Sequence, residues 1–157
     1  MPEVQRILRQ YDRAMNGSPW HGDPIWQILD GISAEAAASR PIANAHSMWE
    51  LVGHMTFWEG VAAKRLAGLH DGPEPEDERN FPLAPEATDT NWQKTLDQFR
   101  ASNKAFREAL QKLDPARLDK LSAAGKRSFY DEAHGLIEHH VYHAGQIALL
   151  AKAVQRS

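Results

Sequence analysis

The sequence predicts an all-α protein: a four-helix bundle of up-down type, with a long crossover loop and a short helical insert. Long proline-free windows at 42–72, 86–114 and 116–157 each carry apolar residues at helical spacing. No period-two pattern competes with them, and no internal repeat or low-complexity tract interrupts the chain. With 157 residues, 42% hydrophobic and 25% charged, the chain is expected to form one domain over 1–157. That length buries a core without cross-links.

The first helix follows Pro2, with Val4, Ile7, Leu8, Tyr11, Ala14 and Met15 on one face, and stops at the breakers Asn16-Gly17-Ser18-Pro19. Asp23-Pro24 starts a short helix through Ile25, Trp26, Ile28 and Leu29, since proline suits a first helical position. Ser33 caps a second short turn at 35–39, closed by Arg40-Pro41. Trp20, Trp26 and Ile28 are expected to be buried, which would pack this insert onto the domain.

Ser47-Met48-Trp49-Glu50 reads as a capping box, in which serine and glutamate satisfy each other's backbone donors. The stripe Leu51, Met55, Trp58, Ala62, Leu66, Leu69 follows it. Gly53 and Gly60 lie inside this helix, each costing about 1 kcal/mol relative to alanine. Either the helix tolerates them or a neighbouring backbone approaches closely. The loop at 69–91 holds four of the nine prolines and an acidic run from Asp71 to Glu78, and reads as a solvated connection or a lid. Phe81 and Leu83 are expected to tuck inward and hold it down.

In the third long helix Trp92, Leu96, Phe99, Asn103, Phe106, Leu110 and Leu113 form a heptad seam with one polar interruption. Asp114-Pro115 ends it and caps a short turn through Leu118 and Leu121, and Gly125-Lys126-Arg127 breaks the chain again. Ser128-Phe129-Tyr130-Asp131 then resembles a helix start, with the last helix running to about Val154.

Composition excludes several functions. The absence of cysteine removes thiolate zinc sites, disulfides and cysteine nucleophiles. A net charge of −3 argues against a general nucleic-acid partner. The basic cluster Lys112, Arg117, Lys120, Lys126 and Arg127 is offset by Asp114 and Asp119 and reads as a solvated face. No apolar run approaches the roughly 20 residues of a membrane span, so no membrane association is expected. The charged stretch from Met1 to Arg13 has no signal-like core, which makes a cytoplasmic location the expectation.

Eight histidines remain to be explained. His134, His139, His140 and His143 fall on the last helix. Residues four apart share a helix face, so His139 and His143 can aim at one point, and so can His140 and His143, three apart. His139 and His140 diverge by about 100° and cannot. Helical projection does not choose between the two pairs. It places His140 near the centre of the core face defined by Phe129, Leu136, Ile147 and Val154, with His139 and His143 toward one edge. A third ligand would have to come from another helix. His54, flanking its stripe one turn from Trp58, is the better candidate, and His46, in the capping region, the poorer. Three imidazoles leave coordination positions open, as catalytic sites do. Zinc, nickel, copper and ferrous iron all accept such ligands.

Trp20-His21-Gly22, Arg40-Pro41, the run from His46 to His54, and Trp58-Glu59 resemble the N-terminal half of a DinB-like (DinB/YfiT superfamily) protein. The ending His139-His140-Val141-Tyr142-His143-Ala144-Gly145-Gln146-Ile147 resembles that family's closing motif. The resemblance implies a four-helix bundle, commonly a homodimer, holding a divalent metal on His54, His139 and His143, with zinc or nickel ahead of iron or copper. Relatives often carry a non-ligand at the position of His140, which leaves it as a proton carrier beside the metal or a packed histidine. His134 falls outside the triad and is expected to cap or decorate the helix surface.

Two enzyme classes fit a small-molecule substrate: a hydrolase using metal-bound water, and a transferase or isomerase using a low-molecular-weight thiol from outside the chain. A non-catalytic, stress-associated metal-binding dimer is the alternative. Trp49, Gly53 and Phe57 would then serve packing or dimerisation. Among carboxylates, Glu50, Glu59 and Glu138 lie nearby in sequence, but Glu59 sits about 140° from His54 around its helix and Glu138 opposite the core face. None is assigned a catalytic role. Gln146 stands three residues after His143, as a hydrogen-bond partner to the site or a helix contact.

Overall fold

The structure, a computed structural model, describes residues 1–69, 80–122 and 125–154. It is all helical: α1 (Glu3–Asn16), α2 (Ile25–Leu29), α3 (Ala34–Ala38), α4 (Met48–Leu66), α5 (Asp89–Lys112) and α6 (Phe129–Val154), with a 3₁₀ turn at Pro115–Arg117. The helix ends are set by the side chains the sequence offers. Ser47 and Glu50 form a reciprocal capping box on α4, and Ser33 and Thr88 accept from backbone amides at the starts of α3 and α5. Ser128 Oγ accepts from the Asp131 amide at 3.0 Å at the start of α6.

Side-chain pairings fix how the long helices run. Trp49 meets Trp92 and Glu59 meets Asn103, so α4 and α5 advance together and are parallel. A crossover connection permits this, since a tight turn between the two would force them antiparallel. His54 meets His139 while Arg65 meets Glu132, so α4 and α6 run antiparallel. The α5 seam is buried as its spacing predicts, with Phe99, Phe106 and Leu110 at 0% exposure and Asn103 as its polar interruption.

Three expected core residues lie outside the core. Trp20 is fully exposed rather than buried, because helix breakers on both sides leave it on no helix face. Leu69 is 79% exposed, since α4 ends at Leu66 and Gly68, at φ 73°, turns the chain away. Leu83 is 82% exposed while Phe81 does tuck in. The glycines in α4 divide: a Cβ on Gly53 would stand 2.5 Å from Pro82 Cγ, whereas one on Gly60 would meet nothing within 4 Å. Close approach explains the first, though by the Pro82 side-chain ring and not by a neighbouring backbone, and tolerance the second. His70 and the acidic run at 71–78 lie outside the described residues.

Candidate metal centre

His54 from α4 and His139 and His143 from α6 converge. Their candidate ligand atoms all lie within 4.8 Å of one another. The antiparallel pairing of α4 and α6 sets His54 opposite the i, i+4 pair, so His139, not His140, partners His143. His139 Nε2 stands 2.8 Å from His54 Nε2 and 3.1 Å from His143 Nε2. Nitrogens sharing one ion at about 2.0–2.1 Å stand roughly 3 Å apart, so the two spacings to His139 suit a metal.

The outer nitrogens support the same reading. His54 Nδ1 donates to the Asn80 carbonyl at 2.6 Å, and His143 Nδ1 donates to Gln146 Oε1 at 2.6 Å. With protons held on Nδ1, both rings turn an Nε2 lone pair toward the centre. At most one hydrogen, on His139, can then be shared among three nitrogens, and His139 Nδ1 is buried without a hydrogen-bond partner among the described residues. The cluster is rich in lone pairs and short of donors, a deficit that a divalent cation meets.

Burial also keeps these rings neutral, as metal ligation requires. Desolvation pushes the His54 imidazole down to about 4, against the opposing hydrogen bond to Asn80. Desolvation and then neighbouring His140, His143 and His54 push His139 down to about 3. His143 is lowered by burial, with the Gln146 contact opposing.

The triad lies on the wall of a cavity of about 1000 Å³. Trp58, Arg65, Tyr130, His134 and Glu138 also line it. His134 is not a surface decoration or a cap: it is half-buried, its ring 4.3 Å from that of Tyr130, and it faces the cavity. Glu132 receives Arg65 at 3.2 and 3.4 Å and Ser122 at 3.1 Å, forming a buried polar floor. Glu138 is exposed at the cavity's edge, and Glu50 is occupied by its capping box and by Arg40. His46 lies at the mouth, 3.7 Å from Glu50 and outside the triad.

His140 has a separate setting. It is 0% exposed, does not line the cavity, and its Nε2 lies 3.0 Å from Glu59 Oε1. Glu59, also at 0% exposure, accepts from Tyr11, Ser102 and Asn103 at 2.5 Å each. Burial and then the Glu59 charge push the Tyr11 hydroxyl up, which keeps it a donor. This cluster is the feature that spacing along single helices misses, because its members come from α1, α4, α5 and α6. A signal was available: Tyr11, Asn103 and His140 each place a polar group on an otherwise apolar helix face, and a buried polar group requires a partner.

Fold and site together define a helical-bundle protein with an open three-histidine centre between antiparallel helices. The DinB superfamily model matches residues 20–147, and the chain belongs to that superfamily. Neither a curated protein nor a solved structure matches the chain.

Proposed function

We propose that the protein is a divalent-metal-dependent enzyme acting on a small molecule, with His54, His139 and His143 as the metal ligands. The observation that carries this is three imidazoles, from His54, His139 and His143, converging on the wall of a cavity of about 1000 Å³. That volume is at the top of the range for small-ligand sites, roughly 300–1,000 Å³, and a metal store without turnover needs no such space. Zinc or nickel is the ion proposed, although the all-nitrogen donor set accepts iron or copper equally. When bound, the ion supplies a Lewis acid and a site for a nucleophile.

Thiol-dependent transfer is the reading the cavity favours. It has room for a thiol and its acceptor together, and the chain has no cysteine, so the thiol must be an external small molecule. Hydrolysis is the second reading, supported by Glu138 at the cavity's edge as a base. In either case Trp58 and Tyr130 offer apolar and aromatic walls, while Gln146 orients His143. A cytoplasmic homodimer completes the proposal. Among the described residues, no helix is long and apolar enough to cross a membrane.

The test is metal uptake followed by turnover. Protein loaded with zinc, nickel or ferrous iron should bind one ion per chain, and replacing His54, His139 and His143 together by alanine should abolish uptake. Loaded protein is then incubated with a panel of electrophiles, esters and amides, with and without several small thiols. Thiol-dependent product supports transfer, and thiol-independent cleavage supports hydrolysis. Uptake with no turnover on any arm favours a binding role instead.

A further inference from the structure

Asn80, Phe81 and Pro82 form a strap across the N-terminal half of α4, and each touches the face that carries His54. The Asn80 carbonyl accepts from His54 Nδ1 at 2.6 Å, and its side-chain Oδ1 accepts from Trp58 Nε1 at 2.8 Å, one turn further along the helix. The Phe81 ring is sandwiched between two imidazoles. Its centroid lies 3.9 Å from that of His46 and 3.9 Å from that of His54, with the planes 2° and 5° from parallel. Pro82 sits where a Gly53 Cβ would otherwise project, at 2.5 Å.

These contacts constrain different freedoms of one ring. An imidazole on a helix can rotate about its terminal torsion, and it can carry its proton on either nitrogen. The stack fixes the plane of the His54 ring. The Asn80 carbonyl selects the tautomer with the proton on Nδ1, which is the tautomer that leaves Nε2 as a lone pair facing His139 and His143. Trp58 holds the Asn80 side chain, and the glycine at position 53 lets Pro82 seat close enough for both contacts to form.

We propose that Asn80, Phe81 and Pro82 are positioning residues for the His54 ligand, and that Gly53 is glycine to admit them. The metal-binding competence of the α4 side therefore depends on a loop segment and not on the helices alone. This rests on the triad's being a metal site, but the positioning itself can be read without metal.

The experiment has two arms. In metal-free protein, long-range proton–nitrogen NMR correlations report which imidazole nitrogen carries hydrogen. Wild type should show His54 protonated on Nδ1. Phe81→Ala and Gly53→Ala should show a mixture of tautomers, and Phe81→Tyr, which keeps the ring, should match wild type. In the second arm, cobalt(II) is titrated against a competing chelator. Phe81→Ala and Gly53→Ala should bind about 10–100-fold more weakly, with altered visible bands, while Phe81→Tyr restores both. Circular dichroism checks folding, and if Gly53→Ala does not fold, Phe81→Ala decides. An unchanged His54 tautomer together with wild-type cobalt affinity in the alanine variants would overturn the proposal. Wild-type protein that binds no metal would overturn the proposed function instead, while the first arm would still decide whether the strap sets the His54 tautomer.

Discussion

His139 and His140 are neighbours in the chain, yet α6 turns them into two different polar clusters. On the cavity side, His139 joins His54 and His143, where acceptor nitrogens outnumber the hydrogens available to them. On the core side, His140 joins Glu59, a carboxylate that already accepts from Tyr11, Ser102 and Asn103. The first cluster brings three imidazoles together and has open space beside it. The second supplies donors to its acceptor from within the chain and is sealed from solvent. The contrast teaches that residue type does not distinguish a candidate ligand from a structural histidine. The surroundings do: His139 faces two further imidazoles beside open space, and His140 faces a carboxylate in the sealed core.

The sharpest way to break the comparison is to remove the carboxylate at the centre of the sealed cluster. Glu59→Leu strands the Tyr11, Ser102, Asn103 and His140 groups in the core. It should lower unfolding stability by about 3–5 kcal/mol, measured in urea, while the folded fraction still binds one metal ion. His139→Ala should do the opposite, losing metal while the metal-free protein keeps its stability to within about 1 kcal/mol. Stability loss from His139→Ala matching that from Glu59→Leu would show that the two clusters are one.

A smaller effect is expected at His140. His140→Ala empties a fully buried position and removes one partner of Glu59, costing roughly 2–4 kcal/mol. Its metal affinity, read by chelator competition, should stay near wild type. Loss of metal from this variant would move His140 into the site and end the distinction.

The mildest test is pH. In the unfolded chain the triad imidazoles titrate near their ordinary 6.5, whereas folding holds His54 at about 4 and His139 at about 3. Between these values the unfolded chain binds protons that the folded chain does not, so stability rises with pH. The triad's contribution is therefore complete above about 6.5 and erodes as pH falls toward 4 and then 3. Urea midpoints of metal-free protein should drop between pH 7 and pH 5, and the alanine triple variant of the triad should show a shallower slope. Equal slopes would mean that the rings are not held neutral by burial.

Much of the bundle is legible in the sequence because its signals are local. The seam from Trp92 to Leu113, the Ser47–Glu50 box and the caps at Ser33 and Asp114 involve residues a few positions apart, and each forms. His139 and His143 are legible for the same reason. Choosing them over His140 and His143 took the family resemblance, because the choice depends on which face of α6 meets α4. What spacing cannot supply is long-range pairing. Glu59 stands 48 residues from Tyr11, and His54 stands 26 from the carbonyl that orients it. Apolar character also misleads where no helix face receives it, as at Trp20.

Asn103 interrupts an α5 seam whose apolar residues otherwise repeat every three or four positions, and such a seam packs almost equally well after sliding by a heptad. Asn103 donates to Glu59 on α4 and accepts from Trp26 on α2. A slide by seven residues would bring the leucine on either side, Leu96 or Leu110, to that point and leave a buried carboxylate facing a methyl group. The one polar residue in the seam thus works as a key that fits a single alignment of the helices. Asn103→Leu is the change that would let the bundle assemble out of step.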